Sequence, residues 1–528
     1  MAQRNPSSGE IARASRSTHL LGASLLCVAL LGFSAWYSRQ APSGTWVNRI
    51  FGAPAWYEFD PASFYAAAAH DLRIGEPPQF IGHPGTPLVV LLAGVQRALF
   101  ALEGGSQLSF TQYILRNLAT VYLASKLLMT VLQLVSFAAL FAFARRLLRD
   151  EVAAWWAVLG YATSLPVFYY ASRISVEPLM MACFFGAFLA LWRYEDLARE
   201  PREGRALLYA GLASAAATTG AVTKLNFLAP LPGLLLIVAA VGPRGDGSAP
   251  IALRARLRAM FVIALVGAAV LGFWSQWIDW PRFFRGWSSI VASWSARKTT
   301  SWKLLPAPTP AGALPLCELA FVSVGVVGVL RLLRRPGEPR LRLLWLSAYA
   351  GFGLAVFASR VSLERSFLPF HYFVLTSGVL AVGFGDVSAL LMRRFAGSVP
   401  RAVLLGGLWI AAIHGLALVV VVDSRRRDAA EYATNGAFFD LLARLGPEER
   451  LGARAELLGG TAFRVGFVTL FASLAGAPDA PAGTATLRPE LEALVVPIRA
   501  GEEGKERPLF VPAFGTELFV VGAGTQRR

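Results

Sequence analysis

The sequence predicts an all-α polytopic membrane protein of about 11 transmembrane helices, followed by a small mixed α/β domain outside the membrane. Three observations predict this fold class. Apolar residues make up 55% of the 528 residues, and charged residues only 16%. The mean hydropathy of +0.51 is too high for a soluble chain of this length. The apolar residues also fall into runs of about 20, the length that a helix needs to cross a bilayer.

Eleven windows have the length and apolar character of a membrane-spanning helix. They are 18–37, 118–147, 152–171, 175–193, 205–222, 225–241, 258–279, 312–331, 343–359, 366–390 and 401–422. Arg4, Arg13 and Arg16 precede the first window and give it the look of a signal peptide. No small-residue cleavage site follows it, so we interpret it as an uncleaved first span.

The distribution of positive charge predicts the orientation of these windows. Short loops after the even-numbered windows carry 19 arginines, whereas the opposite short loops carry only 4 lysines and arginines. Because cytoplasmic loops are enriched in positive residues, residues 1–17 are expected in the cytoplasm. Loops 38–117 and 280–311 and a tail domain at 423–528 are then external. The arginines at 425–427 conflict with this assignment, since they follow the last window on the external side.

Two regions between or after the windows need separate interpretations. Residues 84–102 are apolar, but counting them as a span would place the arginine clusters outside, so we expect an interfacial helix there. The tail has a helical pattern at 429–445 and strand-like runs at 493–498 and 509–521. These patterns predict a small mixed domain at 423–528. The predicted domain organisation is thus a cytoplasmic N-terminus at 1–17, a transmembrane domain at 18–422 and this external domain.

The net charge of +17 suggests an anionic binding partner, either nucleic acid or membrane lipid. Because the arginines lie between apolar runs, membrane lipid explains them better than nucleic acid, and no nucleic-acid partner is expected. Cys27, Cys183 and Cys317 lie in or beside apolar runs, so neither a disulfide framework nor a metal cluster is indicated. We expect no metal and no cofactor.

Ionisable residues near the membrane crowd the side predicted to be external. These candidate site residues are Asp60, Asp71, His83, Arg173, Glu177, Lys224, Arg365 and His371. Intramembrane ionisable groups are costly and usually functional. Cations can hold a phosphate, while a carboxylate can take a proton from a hydroxyl. The set therefore predicts a site for an anionic, lipid-linked substrate.

The first external loop carries motifs that resemble a known family. Phe59-Asp60-Pro61 and Phe64-Tyr65-Ala66 are followed by Pro84-Gly85-Thr86-Pro87-Leu88. Arg116-Asn117-Leu118, Arg145-Arg146-Leu147 and Thr223-Lys224 come later in the same order. Together they resemble membrane glycosyltransferases of the GT-C fold, in the branch with protein mannosyltransferases (family 39), aminoarabinose transferases and RgtA/B/C/D-like bacterial enzymes.

This resemblance, which covers roughly residues 18–400, implies a function. Asp60 would be the general base, and a sugar would pass with inversion from a polyprenyl-phosphate donor to an acceptor that is a glycan, a lipid or a protein. The reaction would occur at the outer face of a bacterial inner membrane, facing the periplasm. The chain departs from the family at Pro61, where a second acid is usual, and at His83-Pro84-Gly85.

Simpler interpretations remain open for each candidate. Asp60 can serve only as a helix N-cap, and His83 only as a turn residue. Arg173 and Glu177, four residues apart, can pair with each other. Lys224 can extend its ammonium to the interface, as can Lys126 in the second window.

Two alternative functions also remain open for the whole chain. One is a transporter or flippase for an anionic lipid-linked sugar. The other is an assembly protein without activity, since the second loop acid is missing.

Overall fold

A computed structural model gives the architecture. It describes residues 28, 32, 62–73, 75, 85–103, 110, 113–114, 117–164, 167, 174–199, 203–224, 227, 251–281, 283–285, 288, 310–334, 370–395, 404–415, 450–454, 495–498, 507–511 and 516–521.

Helices dominate the first 415 residues of the described chain. They are α1 Ala62–Arg73, α2 Thr86–Leu102, α3 Leu118–Leu148, α4 Glu151–Thr163, α5 Glu177–Leu197, α6 Glu203–Thr223, α7 Leu253–Ser275, α8 Pro310–Leu333, α9 Phe370–Phe395 and α10 Leu404–Gly415. The parts long and apolar enough to cross a membrane are Thr120–Leu148, Gly204–Thr223, Leu253–Ser275 and Val374–Arg394. These helices indicate a membrane-embedded protein, as the hydropathy predicts.

The described helices correspond to most of the predicted windows. The windows at 118–147, 175–193 and 205–222 agree with α3, α5 and α6 to within four residues at each end. Within the window at 152–171, α4 ends at Thr163 and Ser164 has an extended backbone, and most of the rest of this window lies outside the described residues. Almost all of the windows at 18–37, 225–241 and 343–359 lies outside the described residues, so the number of spans stays a prediction.

Local sequence signals explain the tight turn between α3 and α4. Arg149 closes α3 in the left-handed region, with φ of 54°. Asp150 then caps α4, its carboxylate accepting a hydrogen bond from the backbone N–H of Val152 at 3.1 Å. The two helices therefore run antiparallel, with Phe137 against Tyr161 and Phe141 against Trp155.

Contacts between helices define their relative directions. In α6 and α7, Ser214 donates to the Ile263 carbonyl and Trp274 donates to Thr219, so the two helices run parallel. Parallel neighbours require the chain to return between them. The window predicted at 225–241 lies between them in the sequence, almost all of it outside the described residues, and stays a prediction.

The helices α8 and α9 also run parallel and approach very closely. A Cβ on Gly383 would lie 2.1 Å from the carbonyl oxygen of Gly325, and a Cβ on Gly328 would lie 2.0 Å from that of Gly383. Small residues that allow such backbone contact are typical of membrane helix pairs. The window predicted at 343–359 lies between them in the sequence, outside the described residues, and stays a prediction.

One end of the helix bundle is held by ion pairs of arginine, and we call it the arginine end. Arg146 pairs with Asp196, linking the last turns of α3 and α5. Arg393 of α9 pairs with Asp150 at the start of α4. Arg331 of α8 donates from Nε to Asp386 of α9 at 2.8 Å. Arginine clusters that the charge pattern assigned to one side of the membrane thus lie at one end of the bundle.

Four short strands lie in the carboxyl-terminal tail. They are β1 Arg450–Arg454, β2 Val495–Ile498, β3 Arg507–Val511 and β4 Thr516–Val521, in the sheet order β2-β1-β4-β3. β1 pairs parallel with β2, and β4 pairs antiparallel with both β1 and β3. Strands therefore occur in both predicted strand-like runs, whereas the helical pattern at 429–445 lies outside the described residues.

Candidate functional site

The start of α2 brings the first external loop to the end of α6. Gly85 has a left-handed backbone, with φ of 49°, and its N–H donates to the Thr223 carbonyl at 3.2 Å. The ring of Tyr65 from α1 lies directly over it, so that a Cβ on Gly85 would meet Tyr65 Cε1 at 2.3 Å. Only glycine fits both the backbone geometry and this close approach. Two motifs that lie 138 positions apart in the sequence therefore meet here.

Lys224 and Glu177 form a buried ion pair beside this contact. Their side chains are only 5% and 3% exposed. Glu177 lies in the first turn of α5, and Lys224 directly follows the last turn of α6. A carboxylate at a helix amino terminus and an ammonium at a carboxyl terminus both complement the helix dipole. We call this end of the bundle, with Gly85, Glu177 and Lys224, the Lys224 end.

The ion pair changes two sequence-based interpretations. Lys224 does not extend to the interface, because almost none of its side chain is exposed. Glu177 has Lys224 as an ionic partner, 47 residues away in the sequence, in addition to any contact with Arg173. An i, i+4 pattern cannot reveal such a pairing.

Several buried polar atoms near the ion pair lack a hydrogen-bond partner within the described chain. They are Oε2 of Glu177, Oγ of Ser175 and the hydroxyl of Tyr161. Tyr161, near the end of α4, has its hydroxyl beside the side chain of Gln133 of α3, and it is close enough to Glu177 to be affected by that charge. Buried polar groups in proteins are almost always satisfied by protein, water or a ligand. The Lys224 end therefore has unused hydrogen-bonding capacity.

Lys126 does not extend to the interface, which the sequence had left open as a possibility. The residue is fully buried, on the helix face of α3 that also carries Thr130 and Gln133. The hydroxyl of Thr130 donates to the Lys126 carbonyl at 3.1 Å. Its burial gives the bundle a second internal lysine, toward the start of α3, which hydropathy alone cannot distinguish from a surface lysine.

The segment carrying α1 is packed through residues that the sequence did not single out. His70 is fully buried and stacks on Phe110 at 5.7 Å, and the Arg73 guanidinium lies 5.6 Å from the same ring. Gln96 of α2 donates to the Ala66 carbonyl at 2.9 Å. These contacts hold α1 against α2. His70 is thus accounted for by packing.

A hydrogen bond stabilises the chain after α2. Tyr113 donates to the Glu103 carboxylate at 2.6 Å. Burial of the hydroxyl and the neighbouring negative charge raise the pKa of Tyr113 well above its usual value. The phenol therefore stays protonated and keeps this hydrogen bond over the whole physiological pH range.

Six further site residues were predicted from the sequence. Asp60, His83, Arg173 and Arg365 lie outside the described residues. Asp71 lies in α1 and His371 in the first turn of α9, and only their backbones are described. Within the described ranges, no three His, Cys, Asp or Glu side chains are grouped as a metal site would require.

Comparison with known proteins gives distant structural similarity. No family model and no curated protein matches the chain. Among solved structures, the chain is similar to the Archaeoglobus fulgidus oligosaccharyltransferase, crystallised with zinc and sulfate. The sequence identity is 14% and the TM-score 0.42, over 83% of this chain and 61% of the oligosaccharyltransferase. The chain thus spans less than two thirds of that protein.

Proposed function

We propose that this protein is a membrane glycosyltransferase that transfers a sugar from a polyprenyl-phosphate donor to an acceptor nucleophile. We further propose that it works in a bacterial inner membrane, with the Lys224 end facing the periplasm. The acceptor is a glycan, a lipid or a protein, and membrane lipid surrounds the site.

One observation carries the proposal, namely the junction of Gly85 with Thr223 beside the Lys224–Glu177 ion pair. The loop motif and the Thr223-Lys224 motif were singled out separately, and they meet at one end of the bundle. Asp60 lies two residues before α1, the helix whose Tyr65 covers Gly85. A carboxylate and a cation from these segments are the groups that transfer from a lipid phosphate requires.

The proposed reaction is a single displacement at the anomeric carbon. Asp60 takes the proton of the acceptor hydroxyl as its oxygen forms the new bond to that carbon. The bond between the anomeric carbon and the phosphate oxygen breaks, and polyprenyl phosphate leaves with the electron pair. The anomeric configuration is inverted, because attack and departure occur on opposite faces.

Lys224 would stabilise the departing phosphate, on which negative charge develops. Glu177 holds the ammonium at a fixed position, and both groups are shielded from water. A preorganised cation in such a site lowers the barrier more than a mobile one at the surface, because it needs no reorganisation during the reaction. Arg173 and Arg365 are proposed to assist with the same phosphate, and His83, His371 and Asp71 to contact the sugar or the acceptor.

Reconstituted vesicles test the proposal against transport of the same substrate. Purified protein is placed in vesicles with a lipid extract that supplies polyprenyl-phosphate sugars, and glycosidic products are identified by mass spectrometry. The proposal expects a new glycosidic bond with the native chain and none with Asp60→Asn, at equal expression. Movement of the lipid-linked sugar across the bilayer without a new bond would instead establish a flippase.

A further inference from the structure

A stripe of polar side chains leads from the Lys224 end into the apolar bundle. On α3, Lys126, Thr130 and Gln133 are spaced to lie on one helix face, and all three are at least 95% buried. Phe137, one turn further, contacts Tyr161 of α4 at 5.8 Å between ring centroids. The polar face of α3 thus ends at the Tyr161 ring.

Ser377 of α9 belongs to the same region. It shares a helix face with Ala381 and Gly385, and Gly385 packs on Ala157 of α4. Because α4 and α9 run antiparallel, Ser377 lies toward the end of α4, where Tyr161 is found. Ser377 is fully buried, and no described group hydrogen-bonds to its hydroxyl.

These groups have the chemistry of a carbohydrate site. Hydroxyls and an amide can both donate and accept, as sugar hydroxyls require. The Gln133 amide already donates to Ser136 Oγ at 2.9 Å, whereas no described group hydrogen-bonds to the hydroxyls of Tyr161 and Ser377 within the geometric limits. Leaving those two hydroxyls unsatisfied inside a membrane protein is costly.

We propose that Gln133, Tyr161 and Ser377 form a subsite for the hydroxyl groups of the transferred sugar. It lies deeper in the bundle than the Lys224–Glu177 ion pair. This inference rests on the proposed function, because it takes the ligand to be a sugar whose phosphate lies at Lys224. The subsite would choose among sugars by their hydroxyls, while Lys224 would bind the phosphate that all donors share.

Cysteine labelling tests the subsite directly. The full chain is prepared with Cys27, Cys183 and Cys317 replaced by alanine, and Ser377→Cys or Ala381→Cys is added. Each variant, in nanodiscs, is treated with a negatively charged, water-soluble thiosulfonate reagent. A hydrated subsite predicts labelling of Ser377→Cys but not of Ala381→Cys, which is equally buried in the apolar core.

Protection identifies the ligand. The probes are farnesyl-phosphate derivatives of glucose, galactose, mannose, arabinose and galacturonic acid, with sugar-free farnesyl phosphate as the control. At ten times its dissociation constant, the accepted sugar should slow labelling about tenfold, and farnesyl phosphate alone should not. No labelling, or equal protection by farnesyl phosphate alone, would overturn the subsite.

A pair of tyrosine variants gives a second, milder test. Tyr161→Phe removes one hydroxyl and should weaken binding of the protective probe about 2- to 10-fold, the net value of one hydrogen bond. Tyr194→Phe is the matched control, since Tyr194 is also buried with an unpartnered hydroxyl but lies near the arginine end. Equal effects of both variants would contradict the subsite.

The outcomes separate this inference from the proposed function. Protection by a sugar probe without any transfer would support the subsite and refute the glycosyltransferase. Transfer from a probe that gives no protection would support the glycosyltransferase and refute the subsite.

Discussion

Breaking the Lys224–Glu177 ion pair should destabilise the protein more than breaking any other ion pair in the described part of the chain. Glu177→Gln leaves the Lys224 ammonium, 5% exposed, without its carboxylate. Removing one partner of a buried pair typically costs about 3–5 kcal/mol, because the remaining charge is uncompensated. Arg393→Gln, at a pair whose arginine is 62% exposed, should cost only about 0–1 kcal/mol.

The free energy of unfolding can be measured by titrating the protein in bicelles with sodium dodecyl sulfate. Glu177→Gln and Lys224→Met should each destabilise strongly, and the double variant should lose much less than the sum of the two. The double variant removes both charges of this pair, so neither of the two is left without the other. Additive losses, or equal losses for Glu177→Gln and Arg393→Gln, would refute the reasoning.

Two glycines give further tests with matched controls. Gly85→Ala should lower the free energy of unfolding by about 1–2 kcal/mol, because alanine disfavours the left-handed backbone. It should also lower transfer, because the new methyl group displaces Tyr65. Gly94→Ala is the control and should be neutral or slightly stabilising, since a Cβ there has nothing within 4 Å. A Gly85→Ala chain with native stability and transfer would contradict this packing. Gly383→Ala should separate α8 from α9 and lower the free energy of unfolding by about 1–3 kcal/mol. Gly272→Ala is the control, because a Cβ there meets open space. Equal unfolding free energies of the two variants would contradict the close approach of α8 and α9.

Hydropathy and charge predicted much of the bundle. The windows for α3, α5 and α6 were close to the observed helices because their length and apolar content are set by the bilayer. The alternation of arginine clusters anticipated that Arg146, Arg331 and Arg393 share one end. These properties can be read from a single segment of chain without knowing its neighbours.

The candidate site depended on contacts that no single segment reveals. Glu177 was identified as a candidate, but its pairing with Lys224 requires the turns before α5 and after α6 to meet. An interfacial position of Lys126 was left open because hydropathy cannot tell which face of α3 is covered. The contact between Gly85 and Thr223 was likewise hidden, although the glycine itself suggested a turn.

Product stoichiometry tests the central claim most directly. Purified protein in nanodiscs is mixed with the polyprenyl-phosphate sugar pool and an acceptor fraction from the same membranes, and both products are quantified by mass spectrometry. A glycosyltransferase predicts equal amounts of released polyprenyl phosphate and glycosylated acceptor, and neither product with Asp60→Asn. An unmodified acceptor beside intact donor, or a native rate for Asp60→Asn, would contradict the account.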